Sequence, residues 1–107
     1  MYSRTVEVKS RSGSMPELLR VYHDSIVPAL KSQKGFVDLV SLRSESEPET
    51  LTSISFWQSK EDAERYSSER FSSIIGTIQH LLDSKPSVKT GAVEYSSVHR
   101  VATGKAA

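Results

Sequence analysis

Cysteine is absent from this chain of 107 residues. That excludes disulfides, thiolate metal sites and a cysteine nucleophile, and it fits a reducing cytoplasm. Aromatic residues make up only 7%, with a single tryptophan, and hydrophobic residues 36%. At this length a domain buries roughly two-thirds of the surface its unfolded chain exposes. One thin core is expected, with little room to enclose a large cofactor. An excess of one charge is missing as well: 14 Lys and Arg stand among 13 Asp and Glu, for a net charge of +1. A duplex binder concentrates its basic residues, because each neutralised phosphate contributes through counterion release. Nucleic acid is therefore disfavoured as the main partner. No apolar run approaches a membrane span, and the first residues lack the apolar stretch of a signal peptide. The expectation is a soluble, cytoplasmic, single domain without a membrane partner.

What is present is alternation and helical spacing. Val6 and Val8 alternate with polar residues over 5–9, which predicts a half-buried strand. Ser14 is a candidate N-cap, followed by Pro16 and Glu17 in a first turn that tolerates proline and favours an acid. Leu19, Ile26, Val27 and Leu30 recur at helical spacing over 16–32, and Pro28 predicts a kink or break near Val27. Gly35 stops the helix. A strand over 36–43 puts Phe36, Val40 and Leu42 on one face and Val37 and Leu39 on the other. A strand over 51–57 puts Ile54 and Phe56 on one face and Leu51 and Trp57 on the other. The short acidic turn between them, with Glu45, Glu47 and Glu49, indicates an antiparallel hairpin.

Ser59 with Asp62 three residues on has the layout of a capping box. A helical region then runs to about Asp83, its stripe formed by Ala63, Phe71, Ile74, Ile78 and Leu81, with a break expected at Ser67 and Ser68. A last strand over 90–97 would carry Val93 and Tyr95. Residues 1–99 form the expected domain and 100–107 a flexible tail.

The order βαββαβ is the ferredoxin-like α+β arrangement, a four-stranded antiparallel sheet with both helices on one face. The central hairpin is nevertheless apolar on both faces. A second copy packing sheet to sheet is the simplest cover, and a homodimer with a barrel-like shared core is expected.

Lys34, Gly35 and Phe36 open the second strand. Residues 54–59 form an apolar strand ending in Trp57 and a small helix cap. Tyr66 to Phe71 lies inside the second helical region. In these features, and in the order and spacing of elements from about Val6 to Tyr95, the chain resembles the antibiotic biosynthesis monooxygenase (ABM) family of the dimeric α+β barrel superfamily. The resemblance implies a pocket between helices and sheet. In some members it serves oxygen chemistry without metal or flavin, a deprotonated phenol or quinol reacting directly with O₂. Haem-degrading members use an Asn near the start of the first strand, with a Trp and a His in the second helical region. Here the first strand has Glu7 and Lys9, the Trp position is approximately Tyr66, and the His position falls near Ile74 or Ile75. That pattern does not fit haem degradation.

Two readings follow. In the first, the protein is a cofactor-independent monooxygenase of a small hydroxylated aromatic compound. His23, read as lying in the apolar arc of the first helix, would be the general base. Arg70 would stabilise an anion, and Trp57, Tyr66 and Phe71 would be the walls. In the second, the fold is a non-catalytic small-molecule-binding or interaction domain, with His23 hydrogen-bonded at the core edge and the aromatics serving only packing. His80 is expected to be exposed and His99 to lie in the last strand or tail. The three histidines lack metal-site spacing, and residues 11–14 lack a P-loop's spacing and lysine. No metal or cofactor is expected.

Overall fold

A computed structural model describes residues 1–101; the end of the expected tail, 102–107, lies outside the described residues. The strands are β1 (Tyr2–Lys9), β2 (Phe36–Arg43), β3 (Thr50–Trp57) and β4 (Ser87–Ala92), and the helices are α1 (15–31) and α2 (60–76). The sheet is antiparallel throughout, in the order β2-β3-β1-β4. The helices lie on one side of it, which is the ferredoxin-like arrangement.

Alternation divides the sheet residues cleanly. On the helix side, Val8 of β1 and Leu51 and Trp57 of β3 enter the core. On the open side, Val40 sits opposite Ile54 and Leu42 opposite Thr52. Val40 is 43% and Leu42 51% exposed, so this face carries apolar side chains that a single copy leaves in water. A β-bulge between Phe36 and Asp38 corrects the strand faces expected for β2. One extra residue switches the alternation, so Phe36 packs against the core together with Leu39.

Helix α1 does not break at Pro28. Residues Tyr22–Ile26 widen into a π-turn instead, with the Val27 N–H donating to the Tyr22 carbonyl. Proline has no N–H for the carbonyl four residues back and its ring crowds that carbonyl; the wider turn relieves both. The π-turn also resets the phase. Met15, Leu18, Tyr22, Ile26 and Leu30 are buried, whereas Leu19 and Val27 are only half-buried. Four-residue steps drift by roughly 40° each on a regular α-helix, and a turn with i→i+5 bonding takes up that drift. Ser14 stands at the N-cap, but its side chain makes no capping hydrogen bond. Ser59 does cap α2, its hydroxyl accepting from the Asp62 N–H at 3.1 Å.

Helix α2 likewise continues through Ser67 and Ser68, where a break was expected, by a second π-turn over Ser67–Phe71. It ends at Gly76, followed by a 3₁₀ turn over Gln79–Leu81. The last strand is earlier than the expected 90–97, spanning Ser87–Ala92. It aligns with β1 from Tyr2 to Glu7, and Tyr95, beyond its end, is 80% exposed. The following segment returns to β2, where His99 Nε2 stands 2.9 Å from Asp38 Oδ2. That hydrogen bond, with a second from the Leu39 N–H, holds the Asp38 carboxyl below the usual carboxylate range.

Candidate functional site

The site forms where the start of β1 passes under the π-turn of α2. In a regular α-helix, residues five apart point roughly 140° away from one another. The π-turn brings Tyr66 and Phe71 together, with ring centroids 6.3 Å apart and edge to face. Trp57, at the end of β3, stacks beneath Tyr66 at 5.0 Å and meets Phe36 edge-on at 5.9 Å. Its indole N–H donates to Ser55 Oγ at 2.9 Å, which satisfies the donor that burial would otherwise strand.

Arg4 completes the cluster, and the sequence reading did not find it. Its guanidinium carbon lies 4.7 Å from the Phe71 ring centroid and 5.6 Å from that of Tyr66, within reach of cation–π attraction. The residue is only 4% exposed. Among the described residues, neither its Nε nor its Nη2 has a hydrogen-bond partner. Burial pushes the Arg4 pKa down, against the fields of Tyr66 and Tyr2, but a guanidinium remains charged at neutral pH. The signal was in the pattern: Tyr2, Arg4, Val6 and Val8 continue one alternation, and β1 begins three residues before the expected 5–9.

Burial also pushes the Tyr66 phenol up to about 12, although Arg4 and Arg70 pull the other way. Tyr66 is therefore a neutral hydroxyl near neutral pH, able to donate a hydrogen bond but not to take a proton as phenolate.

Three cavities border this cluster; one of them, about 840 Å³, is an open groove running from Phe71 and Ile75 to Arg11, and the other two lie against Arg4 or within the core. An inner apolar one of about 50 Å³ lies between Val6 and Val8, Tyr22 and Ile26, and Tyr66 and Phe71. It has room for water or a diatomic gas and not for an aromatic ring. Tyr22 crosses the layer above it, its hydroxyl 2.8 Å from Ser53 Oγ and also bonded to Ser41. The other cavity, about 180 Å³, opens beside Arg4 and is lined by Tyr2, Ala63, Glu64, Ser67 and Thr90.

The expected site residues separate into two groups. Trp57, Tyr66 and Phe71 come together, although Trp57 is fully buried and lines none of the three cavities. His23 does not point toward the sheet. It is exposed, because the phase set by the π-turn sends Tyr22 inward in its place, and the two rings meet edge-on at 5.6 Å. Arg70 is exposed too, on the outer side of the α2 π-turn. His80 is exposed as expected. Among the described residues no three His, Asp or Glu side chains stand close enough to hold a metal ion, and no helix is long and apolar enough to cross a membrane.

The family model for antibiotic biosynthesis monooxygenases matches residues 1–71, which include β1, the hairpin, Trp57 and the Tyr66–Phe71 turn. The chain belongs to that family. No curated protein matches the sequence. Solved structures similar to this ABM chain include NE2512 from Nitrosomonas europaea, a protein of unknown function (TM-score 0.77, 13% identity, 92% of this chain and 94% of that one). A mutant of SnoaB from Streptomyces nogalater, a cofactor-independent oxygenase, is similar over 92% of this chain and 97% of its own (TM-score 0.75, 13% identity). A conserved protein from Methanosarcina mazei has 17% identity over 85% of this chain and 91% of its own, with a TM-score of 0.71. At these identities the likeness extends to the ABM fold alone.

Proposed function

We propose that this ABM protein is a cofactor-independent monooxygenase of a small hydroxylated aromatic substrate. The observation that carries the reading is Arg4, a buried cation packed on Tyr66 and Phe71, with no carboxylate paired to it among the described residues. A positive charge in a poorly solvated site favours the ionised form of a phenol or quinol bound beside it. That anion is the electron-rich species that reacts with O₂. For an anthrone-like substrate the phenol's conjugated CH₂ loses a proton and the anion passes an electron to O₂. A C–O bond then forms, and the resulting hydroperoxide loses water to leave a carbonyl. The balance is CH₂ plus O₂ giving C=O plus H₂O, with no external reductant. His23 lines neither the inner cavity nor the opening beside Arg4, so in this reading the proton departs to water. The apolar inner cavity suits O₂ and excludes water from the intermediate.

Oxygen uptake with a panel of quinols and anthrone-like phenols tests this. Turnover is expected with at least one member, and Arg4→Met should lower kcat/KM by about 10²–10³-fold, the scale of losing a preorganised oxyanion partner. No protein-dependent uptake across the panel would leave the second reading, a binding domain without catalysis. The small inner cavity favours that alternative.

Assembly belongs to the same reading: Val40, Leu42, Ile54 and Phe56 on the open sheet face form the surface on which a second copy packs. Light scattering at micromolar concentration should give a dimer mass, and Leu42→Glu should shift it toward the monomer. A monomeric wild-type protein would sink this part of the proposal.

A further inference from the structure

The unpartnered atoms of Arg4 define more than a positive charge. Nε and Nη2 lie on one edge of the guanidinium, and their N–H bonds run parallel, so together they match two acceptor oxygens in the same plane. The protein uses this edge elsewhere: Arg20 donates through Nε to one Glu17 oxygen at 2.7 Å and through Nη2 to the other at 2.8 Å. That pair sits in solvent. The same edge of Arg4 is buried, is held by two aromatic rings, and has no acceptor among the described residues. Leaving charged donors buried and unpaired is costly, and a site that keeps them in that state is built for a ligand that supplies the acceptors.

We propose that Arg4 is the anchor of a binding site for a planar monoanion whose charge is shared between two coplanar oxygens. Two chemistries meet that description: a carboxylate, and the enolate of a hydroxyl group beside a carbonyl. Arg4 lines an opening together with Tyr2, Ala63, Glu64, Ser67 and Thr90, and the ligand enters there; the Nε and Nη2 donors have no accessible surface in the free protein, so the side chains over that edge move aside as the ligand binds. At about 180 Å³ this space accepts one six-membered ring, since a cavity of about 150 Å³ takes benzene, and a larger ring system would project into solvent. Glu64 is the carboxylate among these lining residues, turned toward Lys60 at 3.7 Å. Its charge opposes a second negative charge on the ligand, which selects monoanions over dianions. The site names the substrate class for the oxygenase reading, but binding stands apart from turnover and is measured without it.

The test is calorimetric titration of the full chain with benzoate for the carboxylate, tropolonate for the enolate and inorganic phosphate as a tetrahedral comparison. Saturable one-to-one binding of benzoate or tropolonate is expected, tighter than phosphate, and whichever of the two binds identifies the source. Arg4→Met should weaken it by roughly tenfold or more, given the strength of charge-assisted hydrogen bonds. Arg4→Lys, which keeps the charge and loses the fork, should weaken it as well and serves as the test if Arg4→Met fails to fold. Bound ligand should also shift the Arg4 Nε–H resonance in the wild-type spectrum. A further mark separates a ligand site from a structural arginine: without ligand, Arg4→Met should melt no lower than wild type, because it removes a buried unpaired charge. Equal binding by wild type and both variants, binding of phosphate as tight as the planar anions, or no saturable binding at all would overturn the proposal. Absence of oxygen uptake alongside intact binding would overturn the oxygenase reading and leave this site standing.

Discussion

Replacing Trp57 with alanine should lower folding stability by about 3–5 kcal/mol, the usual result of truncating a large buried aromatic. Trp57 has no exposed surface and supports Tyr66 from below and Phe36 from the side. Its removal leaves a void beneath the α2 π-turn that neither helix can fill without moving. Ser55 Oγ also loses the indole donor it accepts from. Whole domains are commonly stable by only about 5–15 kcal/mol, so the variant should unfold at far lower urea. Circular dichroism is the measurement to use, since Trp57 is the single tryptophan and its fluorescence goes with it. Trp57→Phe should recover part of the loss by keeping a ring against Tyr66. A change below about 1 kcal/mol for Trp57→Ala, the scale of an ordinary substitution, would contradict the packing described for this cluster.

Gly35→Ala should be the next most damaging single change, at about 2–5 kcal/mol. Gly35 lies at φ +83°, where a side chain adds about 1–2 kcal/mol of backbone strain. A Cβ built there would also stand 2.5 Å from Asp62 Cβ and closer still to its carboxyl group. A rotamer change cannot relieve contact with a Cβ, so the start of α2 must shift, and overpacking of this kind costs about 1–3 kcal/mol more. Asp62 is engaged by the Ser59 cap and by Arg65 at 2.8 Å, and its carboxyl is held below the usual range chiefly by that arginine. The damage should therefore reach the α2 N-terminus. Hydrogen exchange of the amides over 60–66 would report it, and unchanged protection there would refute the mechanism.

Both predictions depend on residues whose types are informative in the sequence itself. Gly35 after a helical run is a stop signal, and Ser59 with Asp62 is a cap. The alternation in β2 and β3 placed Trp57 and Leu51 on one face. The candidate walls Trp57, Tyr66 and Phe71 did converge. His23 and Arg70 did not join them, and the cation packed on Tyr66 and Phe71 is Arg4. The phase of α1 explains the first of these. Leu19–His23–Ile26–Leu30 and Leu18–Tyr22–Ile26–Leu30 are both acceptable helical stripes, and the choice between them rests on a π-turn that periodicity at 3.6 residues does not describe. For Arg4, a strand starting at Thr5 leaves the arginine outside the alternation, as the polar edge of an element rather than a member of its buried face.

The order βαββαβ, the Ser59 cap of α2 and the apolar character of both hairpin faces were determined by sequence alone, because each is a local property of residue type and spacing. The tertiary structure decided the phase of the two helices, the meeting of Tyr66 with Phe71, and the burial of a lone guanidinium beneath them. Those depend on how π-turns rotate one half of a helix against the sheet. The energy of that choice comes from contacts between residues far apart in the chain, such as Arg4 with Phe71 and Tyr22 with Ser53, and no local pattern encodes them.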